Sequence, residues 1–249
     1  MNFAEELLTG LEVHPSGEAF EGKAPEWWGP FLFGGFIVGQ AVHAVGQTIP
    51  EGRRIHSLHA YFLLPVRAAL PIRHVVSTLR DGRTFSQRQL RSEQEGETVF
   101  VMTCSFVGAP SEPSHELTLD AAVPGPEGLA KEAGRGPWPE VARVGPGRAW
   151  CRLPSEVPAD PRLNDALLGF ISDLTGGGGQ PFAVPDVTNW VSLDHAVWFH
   201  RPLVADEWLL FDPETVAVDG KRGLLRGSFY GSDRCLRLSM TQEALLRTR

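Results

Sequence analysis

The chain has 249 residues, 42% hydrophobic and 21% charged, which is enough apolar material for a sizeable core in one large domain or two small ones and too much for global disorder. A formal net charge of −7 argues against a nucleic-acid or anionic-membrane surface as the main partner. Three cysteines, Cys104, Cys151 and Cys235, lie 47 and 84 residues apart, a spacing of neither a disulfide framework nor a zinc knuckle.

The opening MNFAEELLTG is acidic and has no apolar signal core. No apolar run approaches the ~20 residues that span a bilayer. A soluble protein of the reducing cytoplasm is expected. Residues 3–12 read as a short amphipathic element, followed by polar turns and the aromatic pair Trp27-Trp28. FGGFIVGQAVHAVGQT, residues 33–48, is small and apolar on every face, the pattern of a buried helix. Gly34, Gly35, Gly39, Ala41 and Ala44 are expected to let strands approach that helix closely. Packing is the plainer reading of these glycines beside a ligand contact.

IHSLHAYFLLP (55–65) reads as a strand stopped by a proline. Within HVVSTLRDGRTFSQRQLRSEQ (74–94), Asp81-Gly82 between extended runs signals a hairpin. Glu95-Gly96 then turns into the strand ETVFVMTCSFVG (97–108). Residues 109–139 are rich in Pro, Gly and acidic side chains and read as a linker, not a fold element.

After the linker the pattern repeats. Asp160-Pro161 is a helix start, an N-cap acid with proline at the first helical position. Leu163, Ala166, Leu167, Phe170, Ile171 and Leu174 mark one apolar face, and Gly176 ends the helix. VSLDHAVWFHRP, Val191 to Pro202, then reads as a buried strand stopped by Pro202, yet it carries Ser192, Asp194, His195 and His200. Phe62 and Phe199, Pro65 and Pro202, and the turns at Gly96 and Asp233 are each 137 residues apart, and the Asp-Gly turns at 81 and 219 are 138 apart. A common offset points to an internal duplication of a helix followed by an antiparallel sheet.

Metal binding is disfavoured. His56 and His59 are three apart and His195 and His200 five apart, and odd separations put strand side chains on opposite faces. A Ser-His-Asp hydrolase is equally weak, because Ser192 and Asp194 share a face that His195 does not, and no G-x-S-x-G elbow exists. The run Gly176 to Gly179 lacks the Lys-Ser/Thr of a phosphate loop. Asp194 and His195 read as structural. Three polar residues remain: Asp173 in the last turn of the second helix, Ser192 opening the next strand, and Gln242 in the core-facing register of the final strand. Each alone is more often a satisfied core polar group than a catalyst, but together they can hold one water. At the common offset Gln242 corresponds to Ser105 and Ser192 to Ile55, so the first repeat lacks this set.

FGGFIVGQA (33–41), HSLHAYFLLP (56–65), RDGRTFSQR (80–88), SLDHAVWFHRP (192–202), DEWLLF (206–211) and SFYGSDRCLRLSMTQEALLR (228–247) resemble the TesB-type acyl-CoA thioesterase II family, in family order and across nearly the whole chain outside the linker. The resemblance implies an α+β double hotdog, two repeats each with a long helix wrapped by an antiparallel β-sheet. Those repeats would be 1–108 and 140–249, with 109–139 as the linker. It implies a catalytic set that maps to Asp173 in FISDL, Ser192, and Gln242 in QEA. The members compared carry Thr at the position of Ser192 and Gly at that of Ala244. Serine keeps the hydroxyl but gains rotamer freedom.

The expected activity is hydrolysis of acyl-CoA to free fatty acid and CoA, by a water positioned by Asp173, Ser192 and Gln242, with no covalent enzyme intermediate and no cofactor or metal. Backbone N–H groups of Gly34 and Gly35 are candidates for binding the thioester oxygen. Acyl-CoA is the expected partner, with no nucleic acid or membrane and with further pairing into a dimer or tetramer. Two other readings stay open. One is a non-catalytic hotdog protein binding acyl-CoA or acyl carrier, which the serine at 192 leaves alive. The other is a hotdog enoyl-CoA hydratase, against which counts the absence of a G-D-x-N-P-x-H type motif.

Overall fold

With no charge to keep one side in water, the small apolar run after Phe33 folds as a helix with no polar face: α2 (Gly34–Gly46) is buried from Gly35 to Gly46. The computed structural model describes residues 3–25, 29–108, 115–132, 140–145, 147–153, 160–174, 182, 187–201 and 207–248. The Trp27-Trp28 pair, the Gly176–Gly179 run and Pro202 fall outside them. The chain divides into two compact units. Met1–Pro110 and Pro158–Asp173 make the first, and Ser111–Val157 and Leu174–Arg249 the second.

In the first unit α1 (Phe3–Leu11) precedes α2, and the strands are β1 (His14–Ser16), β2 (Ala19–Gly22), β3 (Arg54–Phe62), β4 (Ile72–Asp81), β5 (Phe85–Gln94) and β6 (Glu97–Val107). They form an antiparallel sheet in the order β1-β2-β4-β5-β6-β3. Gly82, in the loop after Asp81, donates its N–H to Phe85 O at 2.8 Å and closes the expected hairpin. Glu95 (φ 51°) and Gly96 (φ 84°) both adopt the left-handed conformation that a two-residue hairpin turn requires.

Helix α3 (Pro161–Ser172) completes this unit. Its N-cap, Asp160, accepts from Arg162 N at 2.8 Å, and Pro161 takes the first helical position. What lies against the glycines of α2 corrects the sequence reading. Helix backbone makes the close approach at Gly35 and Gly39, while a strand reaches α2 at Gly34 through the Phe62 side chain of β3. A Cβ on Gly39 would stand 2.8 Å from Ala166 O of α3 and 2.7 Å from the Leu11 side chain of α1. On α3, a Cβ at Gly169 would meet Val42 at 3.1 Å. Without these Cβ atoms two helix backbones can touch, and small residues alone do not tell a helix neighbour from a strand neighbour. An ion pair fixes α3 further. Arg54, at the start of β3, donates from Nε to both carboxylate oxygens of Asp165 (3.0 and 3.1 Å).

A polar network lies inside the same unit. His74 faces Ser92 across β4 and β5, with Nδ1 2.9 Å from Ser92 Oγ and Nε2 3.3 Å from Gln40 Oε1. Because an amide oxygen can only accept, Nε2 carries the hydrogen and Nδ1 accepts from the Ser92 hydroxyl. Gln40 Nε2 in turn donates to Gly10 O (2.6 Å) and Lys23 O (3.2 Å), tying α1 and the end of β2 to α2. Burial pushes the His74 imidazole down to about 3, so it is neutral.

The second unit contains β7 (Lys131–Glu132), β8 (Glu140–Gly145), β9 (Arg148–Arg152), β10 (Val187–Ser192), β11 (Asp194–Phe199), β12 (Leu209–Asp219), β13 (Arg222–Gly231) and β14 (Leu236–Thr248). Its antiparallel order is β7-β8-β9-β12-β13-β14-β11, with β10 also on β14. From β8 onward this matches the first unit strand for strand, as a duplication requires. At the position of the His74–Ser92 pair, 137 residues on, stands Phe211–Phe229, with ring centroids 4.8 Å apart.

Two expectations fail here. Residues 115–132 are not without fold elements: they form a 3₁₀ turn (Pro126–Gly128) and β7, and they bury Leu119 and Val123 against Trp150, Leu210, Tyr230 and Leu236. Trp150 Nε1 also donates to Pro124 O at 2.8 Å. Apolar side chains scattered among the prolines give this stretch something to bury. Nor is Val191 to Pro202 one buried strand. It breaks at Leu193, and Val191 (44%) and Trp198 (39%) are exposed. Ser192 pairs with Ala244 but Ala196 with Thr241, a slip of one residue that marks a bulge. Asp194 Oδ1 accepts from Glu243 N at 2.7 Å and satisfies an N–H at the bulge, so Asp194 has the structural role expected of it.

Candidate active site

Asp173 is the C-cap of α3 and only 3% exposed. A carboxylate at the negative end of its own helix is disfavoured by roughly 0.3–1 kcal/mol. The first unit removes that objection, because Asp173 lies at the positive end of α2. Its Oδ2 is 2.6 Å from where a Cβ on Gly34 would stand, and its own Cβ is 3.2 Å from the corresponding point on Gly35. At Gly35 a Cβ would also strike Phe170 O at 2.5 Å. Glycine at 34 and 35 is therefore a steric requirement for bringing this carboxylate to the end of α2. Phe33, the N-cap, stacks edge-on against Phe170 with centroids 5.7 Å apart and holds the same junction from the other side.

Ser192 and Gln242 meet in the second unit. Leu236, Leu238, Met240, Gln242, Ala244 and Leu246 are the buried alternation of β14, and Gln242 is fully buried in it. Ser192 pairs directly with Ala244, so Gln242 is its diagonal neighbour and a long side chain spans the gap. Gln242 Nε2 donates to Ser192 Oγ at 2.9 Å. A serine that accepts from an amide keeps its own O–H for a further acceptor or a water. Of the predicted site residues, then, one unit joins Ser192 with Gln242 and the other joins Asp173 with Gly34 and Gly35.

Other nucleophiles and bases are poorly suited. Burial pushes the Cys104 and Cys151 thiols up to about 12, so neither is a thiolate at neutral pH. The same effect pushes His195 down to about 3 and makes it a weak base. Among the described residues no group of three or more His, Cys, Asp or Glu side chains is placed to share a metal ion. Sequence reasoning missed Phe182, which is 1% exposed and packs on the strand face that carries Ser192 and Gln242. An isolated aromatic after a glycine run gives no periodic signal.

Residues 24–107 match the family model "Acyl-CoA thioesterase N-terminal domain" and residues 142–245 the model "Acyl-CoA thioesterase". Acyl-coenzyme A thioesterase 8 of Rattus norvegicus is 31% identical over 283 residues, covering 96% of this chain and 88% of that protein. The crystal structure of the acyl-CoA thioesterase II TesB2 from Mycobacterium marinum superposes with a TM-score of 0.81 at 31% identity, covering 99% of this chain and 98% of that one. A hot dog fold protein from Alicyclobacillus acidocaldarius, 20% identical, shares the fold alone with a TM-score of 0.77 over 98% of each chain. The fold is the α+β double hotdog, and the chain belongs to the acyl-CoA thioesterase family.

Proposed function

We propose that this protein hydrolyses the thioester of acyl-CoA to free acid and CoA, with a water held by Asp173, Ser192 and Gln242. The observation that carries the reading is the hydrogen bond from the fully buried Gln242 to the half-buried Ser192 at 2.9 Å, a polar pair on an otherwise apolar strand face. Gln242 occupies a lone pair of Ser192 Oγ and leaves its proton to be donated to the water oxygen. Asp173 takes a proton from that water as its oxygen attacks the thioester carbon. The negative charge that develops on the carbonyl oxygen is met by backbone N–H groups of Gly34 and Gly35, the unpaired donors of a helix N-terminus. Collapse of the intermediate expels the CoA thiolate, which receives the proton from Asp173. No bond to the enzyme forms.

Asp173→Asn removes the base while keeping its shape. Thiol release from acyl-CoA should fall about 10²–10⁴-fold in that variant, with thermal unfolding unchanged. Undiminished turnover would exclude Asp173 as the base, and binding without thiol release by the wild type would leave only a binding module. The same reading takes 1–108 and 140–249 as the two repeats joined by 109–139, a dimer or tetramer as the assembled form, and fatty acid metabolism in the cytoplasm as the setting. Light scattering on the purified chain tests the assembly.

A further inference from the structure

The Asp173 carboxylate has an aromatic neighbour at the start of α2. Phe62 Cε1 and Cζ stand 3.0 and 3.1 Å from the point where a Cβ on Gly34 would lie, and Asp173 Oδ2 stands 2.6 Å from the same point. The contact is made by the far end of the ring. All three residues belong to the first compact unit. The side-chain torsion that turns an aspartate carboxylate is broad, so packing has to choose its orientation. Here the packing is Gly34 on one side and the Phe62 ring beside it.

The end of β3 aims that ring. Phe62 pairs with Phe100 of β6, and the two rings lie with centroids 5.3 Å apart and planes tilted by 57°. Phe100 is fully buried and gives Phe62 a fixed surface to lean on. Immediately afterwards the N–H groups of Leu63 and Leu64 both donate to Val99 O, at 2.9 and 3.2 Å. Two residues opposite one make a bulge, a device that re-aims side chains at the end of a strand. Past it both leucines are exposed, while Phe62 is held half-buried against the carboxylate.

We propose that Phe62 is a positioning residue for thioester hydrolysis: the far end of its ring walls the Asp173 carboxylate against Gly34 and fixes the orientation in which Asp173 takes the proton from water. The inference rests on the reading of Asp173 as the base and adds the residue that aims it. A phenylalanine ring carries no hydrogen-bond donor, so it orients the carboxylate without drawing on its basicity.

The test is thiol release from butyryl-CoA and palmitoyl-CoA by the wild type, Phe62→Leu and Phe62→Met, and by the same two changes made on Asp173→Asn. With the carboxylate present, replacing the ring should lower kcat by roughly 10- to 100-fold and leave KM unchanged, as expected when a catalytic group is misplaced by about 1 Å. On Asp173→Asn the same replacements should cost less than about twofold, because no base is left to aim. Leucine and methionine both keep apolar cover against Phe100, and melting curves show which variant carries the comparison. A folded variant with wild-type kcat would overturn the positioning role. So would a loss of the same factor with and without the carboxylate. Undiminished turnover by Asp173→Asn itself would instead overturn the base reading, a result distinct from a dead Asp173→Asn beside a fully active Phe62→Leu.

Discussion

Asp173 Oδ2 occupies the space beside Gly34 so closely that a single added carbon at residue 34 would stand 2.6 Å from it. Phe62 closes the other side, its ring 3.0 Å from the same point. Gly34→Ala should therefore displace the carboxylate, since 2.6 Å is closer than a Cβ can stand to an oxygen. A catalytic group misplaced by about 1 Å can cost about a hundredfold in turnover, and that is the expected loss in kcat. Steady-state thiol release checks it, with a melting curve to confirm the fold.

Ser192 and Gln242 should behave as one unit. Ser192→Ala and Gln242→Ala are each expected to lower kcat by about a hundredfold or more, the scale for loss of one positioned hydrogen-bonding group. The double variant should be little worse than either single one, because each change already breaks the shared arrangement. Effects that multiply in the double variant would mean that the two act separately.

Asp194, two residues from Ser192, should fail differently. Asp194→Ala strips the acceptor from Glu243 N at the bulge and should cost about 1–3 kcal/mol of stability. Asp194→Asn keeps an acceptor oxygen and should restore most of it. Urea midpoints of the three proteins make the comparison.

Two buried imidazoles make stability depend on acid. His74 and His195 are each pushed from the ordinary 6.5 down to about 3 by burial. Below 6.5 the unfolded chain binds protons that the folded chain refuses, so stability is full above that pH and declines as pH falls toward 3. At pH 5 each contributes a loss of about 2 kcal/mol. Urea unfolding at pH 7.5 and pH 5 should show their combined effect as a lower midpoint at the acid pH. Equal midpoints would mean that neither ring is held neutral in the folded protein.

Much of the layout is written locally in the chain. Asp81-Gly82 and Glu95-Gly96 mark turns because backbone geometry there restricts residue choice, and the alternation from Leu236 to Ala244 is enough to put Gln242 in the core-facing register. The break at Leu193 is another matter. It sits in a stretch with no Gly or Pro before residue 202, and what stabilises it is Asp194 reaching Glu243 N far along the chain, which no local pattern records. The same holds for Arg54 with Asp165, His74 with Gln40, and Phe182 over Gly223. Each is a meeting of distant segments. The glycines of α2 announced a close neighbour but not which one, since the missing Cβ is equally useful to a helix and a strand.

That α3 belongs with the first compact unit has a consequence for how the protein is made. The chain leaves this unit near residue 110 and returns only with Pro158–Asp173. A ribosome adding about 5–20 residues per second needs roughly 3–13 seconds to reach the end of that segment. Until then the glycine face of α2 has no α3 to cover it. The first compact unit is complete only once α3, encoded beyond the linker, has been made. The first unit waits for sequence that lies beyond the linker.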